Sequence, residues 1–367
     1  RNLILDSLRY WVLNYNVDGF RFDLASILTR EANGHIPSNP PLTRAISEDP
    51  ILARTKIIAE PWDCGGCYQV GCFPGGRWSE WNGRFRDDIR RFIRGDDFAS
   101  TQAATRVAGS SDLYKHDGRS PLASVNFITA HDGFTLNDLV SYNYKHNEEN
   151  GEENHDGSDD NLSYNHGFEG ETVNPKIEKI RLQKIKNFLL YLFTSQGVPM
   201  MLGGDEMRRT QNGNNNAYCQ DSPLSWIDWS LAEKNADLIR FTSGLIKLRK
   251  NNECFRRKDF FPENFDNADV QEISWFNSNG KNPDWDKPEK FLSYKLAGGN
   301  EVFYIATNMD IYDLTLTLPT LPSGKSWYRI IDTSYPSPDD FVEAGEEMRE
   351  QRRYVLLSGS SIVLVGK

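Results

Sequence analysis

Apolar residues over the first 257 positions follow two alternating patterns. One has the 3.6-residue spacing of a helix, and the other is a short apolar run typical of a buried strand. The predicted helices lie at about 2–15, 84–95, 99–107, 176–195 and 236–250. The predicted strands lie at 17–23, 56–59, 125–130 and 198–202. This alternation favours a parallel barrel, because the open doubly wound alternative normally shows a glycine-rich phosphate turn after its first strand, and this sequence has none.

The pattern changes near residue 258. From there on, five segments have the composition of strands separated by turn residues, with little helix. They are 290–296, 301–307, 313–319, 326–333 and 352–366. We therefore predict two domains, an α/β domain over residues 1–257 and an all-β domain over residues 258–367. Within the first domain, residues 145–172 are a polar stretch rich in Asn, Asp, Glu and Gly, and a loop of that length in a compact domain suggests a role in function.

Three of the predicted strands run into an acidic residue. Asp23, Glu60 and Asp132 end or closely follow runs of apolar residues, and the C-terminal ends of parallel strands meet on one face of a sheet or barrel. Crowded carboxylates raise at least one pKa, so that one group stays protonated at neutral pH while another is ionised. A protonated acid beside an ionised carboxylate is the equipment for cleaving a glycosidic bond.

The neighbours of these acids suggest their roles. Arg21 lies two residues before Asp23, so on a strand both side chains point the same way. The guanidinium would lower the pKa of the Asp23 carboxyl, as a carboxylate nucleophile requires. A buried structural ion pair explains the same spacing equally well. Glu60 precedes Pro61-Trp62, whose apolar side chains disfavour a charge, and we therefore assign Glu60 as the acid.

A metal-assisted hydrolase could use the same acids, and composition leaves a Mg²⁺ site open. The chain lacks the His clusters that accompany transition-metal catalysis. Cys64-x-x-Cys67 followed by Cys72 has no fourth ligand at a familiar spacing, so we expect loop thiols rather than a metal or iron–sulfur site. We therefore expect no cofactor, and we assign Asp132, with His131, to holding the sugar hydroxyls.

Composition narrows the class of partner. The 367 residues carry a formal charge of −10 and have a pI near 5.2. Nucleic acids and acidic membranes attract basic surfaces, so we expect neither as a partner. No apolar run approaches the length of a membrane span. Aromatic residues make up 12% of the chain, and aromatic faces suit sugar rings, so a neutral carbohydrate fits. Five cysteines without framework spacing indicate reduced thiols in a cytosol-like compartment.

Three segments resemble signatures of the α-amylase superfamily, namely DGFRFD at 18–23, IAEPWD at 58–63 and AHDGF at 130–134. More narrowly, the chain is similar to the isoamylase-type debranching enzymes of starch and glycogen. The supporting stretches are WSEWNG at 78–83, KHNEENGE at 145–152, GDE at 204–206, GNNNAYCQD at 213–221 and WIDW at 226–229. The resemblance covers nearly the whole chain.

The resemblance implies the C-terminal part of a (β/α)8 TIM-type barrel, strands four to eight, over residues 1–257, and a β-sandwich over 258–367. It implies Asp23 as nucleophile, Glu60 as general acid/base and Asp132 as transition-state stabiliser in a retaining hydrolysis of α-1,6 branch linkages. The branched α-glucan would be glycogen, amylopectin or a limit dextrin, in the cytoplasm or the plastid stroma. An earlier Asn-His signature of the family is absent after any apolar strand. We therefore expect an N-terminal part of the same protein to be missing here, and the activity to belong to the intact protein, which could form a homo- or hetero-oligomer.

The candidate substrate-binding residues are Arg21, His131, Trp62, Trp78, Trp81 and Glu206. By the resemblance, the first two are partners of the acids. The three tryptophans could stack on glucose rings, although Trp is as often a core residue. Glu206 ends a predicted strand at the same rim.

Two other functions stay open. A branching or other transglycosylating enzyme of the same superfamily would share all three acids. A non-catalytic glucan-binding subunit of a debranching complex would be expected to have lost them, and here all three are present.

Overall fold

The computed structural model describes residues 1–262, 272–298 and 300–367. The first part of the chain builds a five-stranded sheet in which sequential strands are neighbours and every pair is parallel. Its strands are β1 (Gly19–Phe22), β2 (Lys56–Ala59), β3 (Ser79–Trp81), β4 (Ser124–Asn126) and β5 (Val198–Pro199). All of these strands present their C-terminal ends at the same edge, which is where a parallel sheet carries its site.

Helices precede, connect or follow these strands. They are α1 (Asn2–Tyr15), α2 (Pro41–Glu48), α3 (Gly83–Arg94), α4 (Ala99–Val107), α5 (Ser111–Tyr114), α6 (Leu136–Leu139), α7 (Pro175–Thr194), α8 (Ser230–Lys234) and α9 (Ala236–Asn251). The ends of α3 show why it forms. The Asn82 side chain accepts a hydrogen bond from the amide of Phe85 at 2.9 Å, and Gly95 ends the helix in the left-handed conformation. In the part of the chain that the structure describes, no helix has the length and apolarity to cross a membrane.

Strands β4 and β5 are shorter than the apolar runs that predict them. The chain leaves the sheet after Asn126, and a side chain binds a backbone acceptor two residues further on. The guanidinium of buried Arg90 donates two hydrogen bonds to the carbonyl oxygen of Ile128, at 2.9 and 2.6 Å. Asp132 therefore lies in a turn well beyond the end of β4 and not at the strand end itself.

The C-terminal part is all-β. Its strands are β6 (Ile273–Phe276), β7 (Phe291–Gly298), β8 (Glu301–Asn308), β9 (Leu314–Thr317), β10 (Trp327–Asp332), β11 (Phe341–Glu347), β12 (Arg353–Leu356) and β13 (Ser361–Gly366). An antiparallel sheet has the order β11-β10-β13-β8-β7-β6, and β12 pairs with β9 in a second sheet. Leu316 and Leu356 of the second sheet share a buried cluster with Trp327 of the first, so the sheets pack face to face.

The strand prediction for this part is wrong in three places, one of which is that it does not include β6 (Ile273–Phe276). The predicted strand 352–366 is two strands, β12 and β13, because the chain turns where the amide of Ser360 donates to the carbonyl oxygen of Leu357 at 3.3 Å. The apolar pattern misses β11, an edge strand whose residues are mostly polar and exposed. Residues 263–271, near the predicted start of the second domain, lie outside the described residues, and the boundary at 257/258 stays a prediction.

The two parts of the chain share one hydrophobic core. Residues of α3, α7 and α9 belong to the same buried cluster as residues of β7, β8 and β13. Asp340 is buried between two cations, with its carboxylate 2.6 Å from Nζ of Lys186 on α7 and paired with Arg240 on α9. Gly244 of α9 lets the helix approach the ring of Phe341, since a Cβ at this position would lie 2.9 Å from that ring. Helices α3, α7 and α9 therefore pack directly against the all-β part.

Candidate active site

One arginine links two of the predicted catalytic acids. Arg21 lies on β1, and its Nη1 is 2.6 Å from Oδ1 of Asp23, which follows the strand. The Nη2 atom of the same guanidinium is 3.1 Å from Oε2 of Glu60 at the end of the neighbouring strand β2. The predicted contact between Arg21 and Asp23 is confirmed. The two acids differ in exposure, since the side chain of Asp23 is 74% exposed and that of Glu60 only 6%.

The environment of Glu60 favours its protonated form. Burial raises the pKa of the Glu60 carboxyl, and the nearby carboxylates of Asp23 and Asp132 raise it further. Two groups oppose this shift in pKa, the guanidinium of Arg21 and the amide of Leu24, which donates to Oε2 at 2.5 Å. Leu24 directs that amide at the carboxyl from a left-handed backbone conformation, with φ of 41°, which is strained for a residue with a side chain.

Asp132 and His131 lie at the open side of the same site. Both side chains are exposed, and Nε2 of His131 is 3.5 Å from Oδ2 of Asp132. The His131 ring meets the edge of Trp81 with 5.8 Å between ring centroids. The guanidinium of Arg21 lies over the face of the same Trp81 ring, with its Cζ atom 4.2 Å from the ring centroid. Trp81 therefore connects the residues around Asp132 to the pair formed by Arg21 and Asp23.

A cleft of about 380 Å³ opens beside these groups. Its lining includes two of the acids, four aromatic residues, Arg86 and the thiol residue Cys67; the acids and aromatic residues are Glu60, Asp132, Trp62, Tyr68, Trp81 and Phe127. The rings of Trp62 and Tyr68 stack, with 12° between their planes and 6.1 Å between centroids. A cleft with aromatic walls and a few carboxylates has the composition of a sugar-binding site.

The prediction that Trp78 binds substrate is wrong. Trp78 is buried, packs against Phe22 and Phe73, and donates from Nε1 to Oγ of Ser47 at 2.9 Å. The reason is the alternation of side chains at β3, where odd and even positions face opposite ways. Trp81 faces the cleft, whereas Trp78 lies on the other side.

Glu80 shares that buried side of β3. Its carboxylate is paired with Arg119 and accepts the amides of Gly71 and Phe73, at 2.5 and 3.2 Å. This buried ion pair holds the glycine-rich loop 65–76 against the sheet. It is a structural pair, in contrast to the group around Arg21.

Glu206 lies in a 3₁₀ turn at Asp205–Met207, where its Oε2 accepts the amide of Gly204 at 2.9 Å. It is not among the residues that line the cleft. Its assignment to substrate binding stays a prediction.

The cleft is also lined by Tyr68, Arg86 and Phe127, which no motif in the sequence marks as site residues. Tyr68 reaches Trp62 because the intervening loop folds back on Asp63, whose Oδ1 accepts the amides of Gly65 and Cys67 at 2.8 and 3.1 Å. An Asp followed by glycines signals such a turn, but the stacking partner depends on the full path of the loop.

Among the residues that the structure describes, no group of three or more His, Cys, Asp or Glu side chains is arranged to hold a metal ion. The five cysteines are free thiols.

Comparisons with known proteins give consistent results. The family model described as "Isoamylase 1-3, C-terminal" matches residues 274–364. The chain is 45% identical over its full length to "Isoamylase 3, chloroplastic" of Oryza sativa subsp. japonica and covers 46% of that protein. It is 44% identical over 89% of its length to the "Glycogen debranching enzyme" of Erwinia tasmaniensis and covers 48% of it. The chain thus spans about half the length of the curated relatives it matches.

A solved structure resembles the chain over nearly its whole length. The pullulanase of Anoxybacillus sp. LM18-11, crystallised with maltotetraose, has a TM-score of 0.66 at 23% identity, covering 99% of this chain and 46% of that one. This likeness confirms the predicted fold class, the C-terminal part of a parallel α/β barrel followed by an all-β part.

Proposed function

Because the chain is a homologue of isoamylase-type debranching enzymes, we propose that the intact protein hydrolyses α-1,6 branch linkages in a branched α-glucan. The observation that carries the proposal is the sharing of one guanidinium by two carboxylates of unequal burial, Asp23 and Glu60, beside an aromatic cleft that Asp132 also lines. One carboxylate is exposed and held by Arg21, and the other is buried with a raised pKa. A retaining glycosidase needs this difference between its two acids.

In the proposed mechanism, Asp23 attacks the anomeric carbon of the glucose residue at the branch. The bond to the leaving oxygen breaks, and Glu60 gives its proton to that oxygen. A covalent glucosyl ester on Asp23 results. Glu60, now ionised, takes a proton from a water molecule, which attacks the same carbon and releases Asp23. The carboxyl groups of a retaining pair are about 5–5.5 Å apart, and we expect that separation here.

The remaining groups of the cleft would bind the sugar. We propose that Asp132 and His131 hold ring hydroxyls and bind them more tightly as the ring flattens in the transition state. Trp62, stacked on Tyr68, and Trp81 provide flat faces for neighbouring glucose rings.

The substrate class follows from the relatives. One is named for glycogen debranching, and another is a chloroplast isoamylase, so we propose glycogen, amylopectin or their limit dextrins as substrate. The same names are consistent with action in the cytoplasm or the plastid stroma.

Incubation of the intact protein with glycogen tests the proposal by counting reducing ends. Debranching creates new reducing ends and shorter linear chains. A constant number of ends with rearranged branches would instead show a branching enzyme, and binding without any change would show a non-catalytic subunit. Either result would refute the proposed reaction.

Asp23→Asn tests the nucleophile. We expect turnover to fall by several orders of magnitude, because the amide cannot form the glucosyl ester. Asp6→Asn is the matched control, since Asp6 is an exposed carboxylate that also pairs with an arginine, 3.1 Å from Nη1 of Arg9. A loss of less than about tenfold for Asp23→Asn would refute the assignment.

A further inference from the structure

The turn that carries Asp132 is held by side chains, because β4 ends before it. Arg90 binds the carbonyl oxygen of Ile128 at the start of the turn. At its end, the amide of Leu136 donates to Oδ1 of Asp205 at 2.9 Å, and the hydroxyl of Thr129 donates to the other oxygen of that carboxylate. These contacts fix the two flanks of the turn. The acid itself lies between them.

The contact nearest to Asp132 comes from another loop. The amide of Gly133, the next residue, donates to the backbone carbonyl oxygen of Asn215 at 2.8 Å. Gly133 has a left-handed φ of 99°, a backbone conformation that favours glycine. The position of Asp132 therefore depends on where the backbone of Asn215 is held.

Asn215 is held by Asn147 in a reciprocal pair. The amide N–H of Asn215 donates to Oδ1 of Asn147 at 2.9 Å, and Nδ2 of Asn147 donates to Oδ1 of Asn215 at 2.8 Å. Both residues are buried, at 0% and 2% exposure. We call these two residues the asparagine pair. Asn215 also donates from Nδ2 to the carbonyl oxygen of Ser158 at 2.7 Å and to Oδ1 of Asn161 at 2.9 Å.

Arg90 connects the hydrogen-bond network of the asparagine pair to the start of the Asp132 turn. Nη1 of Arg90 donates to the carbonyl oxygen of Asn161 at 2.9 Å, and the same guanidinium holds Ile128. Gly157 fills the remaining space, because a Cβ there would lie 2.2 Å from Oδ1 of Asn215. The polar stretch 145–161 is thus ordered, and its network contacts the turn of Asp132 at two points, through Asn215 to Gly133 and through Arg90 to Ile128.

We propose that the asparagine pair positions Asp132 for catalysis, acting through the amide of Gly133. The inference rests on the proposed function and assigns a role to the long polar loop that the reaction itself does not use. Neither Asn147 nor Asn215 lines the cleft, so they act through Asp132 and not on the sugar. A displacement of about 1 Å at a catalytic group is enough to lower turnover about 100-fold.

Asn215→Ala in the intact protein tests the role. The variant removes three side-chain hydrogen bonds and leaves the acid, the nucleophile and the aromatic walls in place. We expect kcat on branched glucan to fall about 10- to 100-fold, with KM changed less than about threefold. Asn187→Ala is the matched control, because Asn187 is equally buried, bonds Thr333 and Gly359 far from the cleft, and should reduce stability without changing kcat.

A double-mutant cycle separates positioning from a general structural role. Hydrolysis of α-maltosyl fluoride, whose leaving group needs no proton, is measured for Asp132→Asn with and without Asn215→Ala. If the pair acts through Asp132, adding Asn215→Ala to Asp132→Asn should change the rate less than about twofold. If the two substitutions lower the rate by factors that multiply in the double variant, the proposal is wrong. An unchanged kcat in Asn215→Ala would also overturn it.

A second variant covers the case in which Asn215→Ala does not fold. Asn147→Asp keeps the side-chain volume and the acceptor for the Asn215 amide but removes the Nδ2 donor, and we expect the same fall in kcat. An unchanged kcat here would also overturn the proposal. A wild-type protein that fails to release reducing ends would instead refute the proposed function, so the two failures can be told apart.

Discussion

Arg21 is the residue on which the charge balance of the site depends. Its guanidinium is 2.6 Å from Asp23 and 3.1 Å from Glu60, so one positive charge serves two acids. Asp132 is a third carboxylate of the site, and like Asp23 it raises the pKa of Glu60. With more negative than positive charge, the site favours one retained proton, and burial assigns that proton to Glu60.

Arg21→Gln should move the basic limb of the pH profile to higher pH. Glu60 acts as an acid only while protonated, so kcat/KM falls as pH rises through its pKa in the free enzyme. Arg21 lowers that pKa, and its removal lets burial and Asp23 raise it further. The measurement is kcat/KM on a soluble branched dextrin across pH. Arg44→Gln, an exposed arginine on α2, should leave the limb in place, and a limb that moves to lower pH in Arg21→Gln would contradict the assignment of Glu60.

At the residue scale, the sequence predicts the acids better than the aromatic walls. The motifs around Asp23 and Glu60 contain the acid and a partner within a few residues, so local spacing is enough. The choice between Trp78 and Trp81 depends on strand parity, which a three-residue strand does not reveal in an apolar pattern. Tyr68 reaches the cleft only through the path of a loop.

At the scale of elements, Asp205 links the turn of Asp132 to the chain beyond β5. It is buried, accepts the amide of Leu136 at 2.9 Å and pairs with the hydroxyl of Thr129. Burial raises the pKa of the Asp205 carboxyl to about 7. The hydroxyl of Thr129 can donate to the ionised carboxylate or accept from the protonated one, so both forms fit the same contacts.

Asp205→Asn should flatten the dependence of stability on pH. The folded protein keeps the Asp205 proton up to about pH 7, whereas the unfolded chain loses it near 4. The contribution of this group is therefore present below about pH 4 and is lost as pH rises toward 7. We expect the melting temperature of the wild type to carry this downward component between pH 4 and 7, and the variant to lack it. Asp6→Asn should keep the wild-type slope, and an unchanged slope in Asp205→Asn would contradict the raised pKa.

Helices are predicted more accurately than strands in this chain. The ends of α3 and α7 lie within a residue or two of the predicted ones, because an asparagine cap and a long apolar face mark them. Strand β4 ends early, and Arg90, distant in sequence, binds the carbonyl oxygen of Ile128 beyond it. Strand β11 has no apolar alternation, since it is an exposed edge. Contacts and exposure in the folded protein, which an apolar pattern does not contain, account for both differences.

At the scale of the whole molecule, Asp340 ties the all-β part to two helices. Lys186 of α7 is 4% exposed, and its ammonium depends on this carboxylate. The sequence predicts two parts but gives no sign that they share one core, because the charged residues of this junction are typical of surface positions.

Asp340→Ala should destabilise the protein by about 3–5 kcal/mol, since it leaves Lys186 buried without a counter-charge. Glu343→Ala is the matched control. Glu343 pairs with Lys247 across the same junction, but both side chains are exposed, so the loss should be at most about 1 kcal/mol. Urea denaturation of the intact protein gives both values, and equal losses would contradict the role of burial.

The asparagine pair has a consequence for how rates are interpreted. Its members are amides, which neither gain nor lose protons and carry no charge for dissolved ions to shield. The support that the asparagine pair itself gives to Asp132 is therefore the same in acid and in alkali, and in dilute buffer and in brine. Asp205 also holds this turn, and its pKa is raised to about 7, so a change of the support with acidity would come from that carboxyl group and not from the asparagine pair.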